Sequence, residues 1–150
     1  MPELNIDLLK RLCETPGIAG REDAVRRLVR EEMSGLVDEV QTDALGNLIG
    51  VRRGNGGPRV MLAPHLDEIG FMVKHITKEG FLRIDRIGGS DSAIARGRRL
   101  QILGNDGPVR GVVGNTAIHL RKDKPGDEKT PKVHELYVDV GAANADDVAR

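Results

Sequence analysis

Hydrophobic residues recur at helical spacing in the first part of this chain, and after Gly70 that period is gone. The break splits the sequence into an α/β part and a β-rich continuation, since a 3.6-residue and a 2-residue period demand different backbones. Ile6, Leu9, Leu12 and Cys13 predict a first helix that stops at Thr15-Pro16-Gly17. Gly20 then leads into Arg21-Glu22-Asp23, acidic in the first turn as the helix dipole favours, and Val25, Leu28, Val29, Met33 and Leu36 mark one apolar stripe of a second helix. Val37 to Thr42 and Leu48 to Arg52 read as strands flanking Asp43-Ala44-Leu45-Gly46-Asn47, followed by a Gly-rich turn at Gly54 to Pro58.

Beyond Gly70 come short strands separated by turns: Phe71 to Thr77, Phe81 to Ile87, Leu100 to Leu103 and Val109 to Val113. Gly104-Asn105-Asp106-Gly107 between two apolar runs is a hairpin signal, so the middle section reads as an all-β unit, a small barrel or sandwich inserted into the α/β part. Gly88-Gly89 reads as a turn, because no helix follows to make a phosphate loop. Lys122 to Pro131, charged and containing Pro125-Gly126, reads as an exposed linker.

Met61 to Val73 is where chemistry concentrates. Val60 to Ala63 is a continuous apolar run ahead of Pro64, the pattern of a strand covered on both faces, and the carboxyl end of such a strand is where α/β sheets place ligands. His65 stands at that end. An imidazole that gives one nitrogen to a metal needs its other N–H held by an acceptor, and Asp67 is spaced to supply one. The competing account of His-x-Asp is a polar loop with a solvated ion pair.

His134 to Ala142 returns to a buried strand pattern that carries one acid, Asp139. A carboxylate in such a strand is costly unless paired or bound to a cation, so a metal ligand and a structural salt bridge are the two competing accounts. Asn144 then offers a helix cap and Asp146 and Asp147 a first turn, yet the sequence stops at Arg150, which reads as an interrupted helix.

Charge and composition narrow the partners. Twenty-three basic residues balance twenty-three acidic ones, which removes the electrostatic case for nucleic acid or an anionic membrane, and Arg96-Gly97-Arg98-Arg99 reads as a solvated edge. Two Phe, one Tyr and no Trp leave few stacking platforms for single strands and require an aliphatic core. Cys13 is the single cysteine, so no internal disulfide or thiolate cluster forms; it reads as a small buried hydrophobe in a reducing cytoplasm. No signal region or apolar stretch of transmembrane length is visible.

With these residues in view, the sequence resembles the amino-terminal part of the M42 family of metallo-aminopeptidases, the glutamyl and tetrahedral aminopeptidase group, some of whose members carry a misleading endoglucanase label. The resemblance runs in order through Pro16 to Asp23, Thr42 to Leu48, Ala63 to Val73, Ile118-His119-Leu120 and Leu136 to Ala142. It implies an α/β fold: 1–70 and 132–150 as the incomplete α/β/α peptidase domain, and 71–131 as an inserted all-β dimerisation domain. It also implies a site of two divalent ions, zinc or cobalt, with His65 a ligand of one ion and Asp139 the carboxylate bridging both. The catalytic assignment falls on Asp67, matching the acid that orients the histidine.

Peptide substrates and a homo-oligomer, a dimer or larger, are implied as partners. The family's Glu-Glu pair, with its general base, and its remaining ligands match no position in these residues, so the expectation is a truncated chain inactive alone; the alternative is a non-catalytic oligomerisation module. Glu68 follows Asp67 but carries no base role in the family, and a rim salt bridge accounts for it. Pro64 departs from the small residue usual before the histidine and removes an N–H there. His75, His119 and His134 lack carboxylate partners at the right spacing and read as ordinary histidines. A glycosidase needs two carboxylates facing each other across the bond, and no such pair stands out.

Overall fold

The computed structural model describes residues 4–121 and 130–148; residues 122–129, most of the expected linker, lie outside them. The chain divides into two compact units, Met1–Glu68 and Ile69–Arg150.

The first unit opens with α1 (Ile6–Glu14), capped by Asn5, whose Oδ1 accepts the Leu8 N–H at 2.9 Å. The second helix, α2 (Asp23–Met33), buries Val25 and Leu28, two members of the expected stripe. Leu36 of that stripe falls beyond the helix and is exposed, because the helix stops short of the glycine turn at Gly35. Cys13 is exposed rather than buried, on a helix that buries none of its residues. Arg11 of α1 pairs with Glu32 of α2.

The expected strands form a hairpin, β1 (Glu39–Thr42) with β2 (Leu48–Val51), in register Thr42↔Leu48. Its loop is closed by Asp43, whose Oδ1 accepts the Leu45 and Asn47 N–H groups at 3.0 and 2.9 Å and whose Oδ2 accepts the Asn47 side-chain amide at 2.8 Å. Gly46 takes φ +89° in that loop, and its carbonyl accepts the Arg26 guanidinium at 2.9 Å, docking the hairpin on α2.

The second unit is a five-stranded antiparallel sheet in the order β3-β4-β7-β6-β5. Its strands are β3 (Gly70–Ile76), β4 (Leu82–Ile87), β5 (Arg99–Gly104), β6 (Gly107–Gly114) and β7 (Tyr137–Asp139). The predicted turn joins β5 to β6 at Gly104↔Gly107. A single helical turn, α3 (Ser92–Ala95), interrupts the strands where no helix was expected, started by the Asp91 side chain accepting the Ala93 N–H at 2.8 Å. Asn144 caps the short α4 (Ala145–Val148), accepting from Asp146 and Asp147 at 3.0 and 3.1 Å.

The core is aliphatic: Leu82, Ile84, Ala95, Val113, Leu136 and Val138, with Phe71 at its margin. β7 pairs with β4 at Leu82↔Val138 and with β6 at Val113↔Val138. The segment grouped by sequence with 1–70 thus has its strand between two strands of the middle section, held by ladders on both sides. Helices and strands are both present, and the mixed architecture matches the α/β class.

Candidate metal centre

In the first unit, Val60, Met61 and Leu62 are 81, 86 and 86% exposed, and no strand forms there. This corrects the expectation of a strand covered on both faces. Such a strand takes its hydrogen bonds and its cover from neighbours, and among the described residues none pairs with 60–64.

His65 follows on this exposed run, its side chain 84% exposed, and Asp67 lies beside it. The ring Nδ1 is 3.0 Å from Asp67 Oδ1 and 3.0 Å from the Asp67 carbonyl. Both oxygens are acceptors, so Nδ1 is the donor to them, and in the neutral ring this puts the lone pair on Nε2. That is the donor arrangement of a metal-binding histidine held by an outer carboxylate.

The neighbour Glu68 forms no salt bridge among the described residues, contrary to the rim ion pair expected of it. Its Oε1 accepts the Gly17 N–H at 2.9 Å, its own N–H donates to the Gly17 carbonyl at 2.9 Å, and Ile18 and Glu68 bridge in parallel. The signal for this lay in no local pattern, because the partners are 51 residues apart.

Asp139 lies in the second unit, at the end of β7, and is exposed. The buried-charge argument for it is therefore corrected: successive strand residues face opposite sides, and burial falls on Val138 instead. Its Oδ1 accepts the Gly141 N–H at 2.8 Å, which leaves the carboxylate at the surface as an oxygen donor. His75, His119 and His134 are exposed as well. Within neither unit do three His, Cys, Asp or Glu side chains among the described residues gather into a metal-holding group. The residues present fit one imidazole ligand and one carboxylate ligand of divalent ions, each by its donor chemistry.

Residues 46–150 match the family model of M42 glutamyl aminopeptidases. The chain belongs to this family. Among M42 relatives, the lysyl aminopeptidase of Pyrococcus furiosus is 36% identical over 142 residues, covering 94% of this chain and 41% of the relative. The chain thus spans about two fifths of the length of the curated relatives it matches. A TET aminopeptidase from a marine sediment Thaumarchaeota archaeon superposes with a TM-score of 0.89 at 31% identity, over 95% of this chain and 40% of that one. The Pyrococcus horikoshii TET1 peptidase, described as assembling into a tetrahedron or a large octahedral shell, superposes at 0.82 with 34% identity, over 95% of this chain and 42% of that one. The M42 sequence match and these superpositions agree on one α/β peptidase architecture.

Proposed function

We propose that residues 1–150 are the histidine-bearing part of a metal-dependent M42 aminopeptidase that removes amino-terminal residues from peptides in the cytoplasm. The observation that carries this reading is the His65–Asp67 pair, with Nδ1 held 3.0 Å from the carboxylate, in a chain of that family. In this reading His65 Nε2 is a ligand of one ion, Asp67 fixes the ring and its tautomer, and Asp139 is shared between two ions, zinc or cobalt. Bound ions would supply Lewis acidity at the scissile carbonyl and a lower pKa for the attacking water. Proton transfer needs a general base, and the family's base matches none of these positions, so a polypeptide of these 150 residues alone is inactive.

The domain reading is kept with it: 1–70 and 132–150 are peptidase domain, and 71–131 is the part that joins subunits into a dimer or larger homo-oligomer. The described assembly of the TET1 relative and the exposed apolar run Val60 to Leu62 support self-association.

The test is a chimera in which these residues replace the matching segment of the lysyl aminopeptidase. Turnover of amino-acyl substrates, lost in His65→Ala and in Asp139→Ala with fold retained, is the expected result. A folded, metal-supplied chimera whose turnover ignores His65→Ala overturns it. One that assembles without turnover favours a non-catalytic oligomerisation module.

A further inference from the structure

His65 and Asp67 hold a 3.0 Å contact although both side chains are exposed, 84 and 45%. Exposed ion pairs contribute little by themselves, because ordering two side chains costs about as much as the Coulomb attraction returns. The run before His65 gives no support either, since 60–64 pair with nothing among the described residues. On the other side of the pair, Glu68 is the next residue.

Glu68 is bound to Gly17 in both directions: Gly17 N–H to Glu68 Oε1 and Glu68 N–H to the Gly17 carbonyl, each at 2.9 Å. Gly17 is buried, so its N–H needs a partner, and an orphaned buried N–H is expensive. Gly17 is in turn seated on α2. A Cβ there would stand 2.7 Å from Val25 Cγ1, and Val25 is 4% exposed. A continuous line of contacts therefore runs from the buried face of α2 through Val25, Gly17 and Glu68 to the backbone of Asp67.

We infer that Glu68 is a positioning residue: by clasping Gly17 it fixes the backbone at Asp67, and so sets the ring orientation and the Nδ1–H tautomer that leave His65 Nε2 open to a metal. The acceptor oxygen of Glu68 does this, not its charge. Gln keeps a carbonyl oxygen at the same reach and Ala keeps none, so the two substitutions separate acceptor from bulk. The metal-facing consequence rests on the aminopeptidase reading above; the clasp and the tautomer do not.

The experiment is NMR on the 15N-labelled chain of 1–150. In the unsubstituted protein the Gly17 amide is expected to exchange slowly, and the His65 ring to show Nδ1–H as its dominant tautomer. Exchange of Gly17 at the rate of an exposed loop amide overturns the inference without any variant. Glu68→Ala is expected to abolish Gly17 protection and the dominance of Nδ1–H, while Glu68→Gln restores both. Zinc affinity, read by calorimetry, is expected to fall about 10-fold in Glu68→Ala and to recover in Glu68→Gln. An unchanged tautomer in Glu68→Ala, with α2 and hairpin resonances in place, overturns the inference. Should Glu68→Ala lose those resonances, Glu68→Gln decides: Gly17 protection and the Nδ1–H tautomer kept there support the clasp, and either one lost overturns it. If tautomer and protection follow Glu68 while the chimera has no activity, the positioning stands and the aminopeptidase reading falls.

Discussion

Val138 Cγ1 fills the space beside Gly111, 2.6 Å from where a Cβ on that glycine would stand, and Ile102 Cδ1 closes the other side at 2.9 Å. Val138 is wholly buried and cannot retreat. Gly111→Ala is therefore expected to destabilise the β unit by about 1–3 kcal/mol through overpacking, read as a lower midpoint in urea with unchanged slope. A midpoint equal to the parent's would mean that β6 and β7 separate at little cost.

Leu136 is completely buried against the cluster of Leu82, Ile84, Val113 and Val138. Leu136→Ala leaves a cavity in a small aliphatic core with few aromatic side chains to relax into it. The expected loss is about 2–5 kcal/mol by chemical denaturation followed through Tyr137 fluorescence. A loss under about 1 kcal/mol would contradict its place in the core.

Asp43 has its pKa held below the ordinary 3.8, first by the Asn47 side-chain amide and then by the Asn47 backbone N–H, against an opposing effect of desolvation. A depressed folded pKa contributes stability above the unfolded value, and that contribution is lost as the pH falls through the folded one. The β1–β2 loop is therefore expected to loosen only below about pH 3.8, seen as faster exchange of the Leu45 and Asn47 amides. Asp43→Ala should show fast exchange at neutral pH. A loop equally protected at acid and neutral pH would remove the carboxylate from its closure.

Purified 1–150 is expected to show no aminopeptidase turnover with added zinc or cobalt, and only weak metal binding, because two ligands cannot complete a tetrahedral site. Calorimetry is the check. A tight, stoichiometric two-ion site, or turnover abolished by His65→Ala, would overturn the assignment of inactivity.

Val60, Met61 and Leu62 form a contiguous apolar run with more than four fifths of each residue in water. Soluble monomers avoid such runs. Light scattering over a dilution series should find a particle heavier than the 16.3 kDa chain, and Leu62→Asp should move it toward the monomer. A monomer at high concentration that binds no apolar dye would show that the run is covered in another way.

Features that neighbouring residues decide together were legible in the sequence. The stripe of Val25 and Leu28, the Asp43 to Asn47 loop, the β5–β6 turn at Gly104↔Gly107 and the Asn144 cap all rest on contacts a few residues apart. The spacing of His65 and Asp67 was legible for the same reason, since the two lie two residues apart. The place of β7 between β4 and β6 comes from long-range pairing, since Leu82, the partner of Val138, is 56 positions away. That placement also settled Asp139: alternation buries Val138 and turns the acid outward. Val60 to Ala63 has strand chemistry but no partner strand among the described residues, and a strand exists only where another chain segment takes up its hydrogen bonds. Glu68 shows the same rule at the candidate metal centre: its local sequence points to a rim ion pair, whereas folding brings the buried N–H of Gly17 within 2.9 Å of its carboxylate.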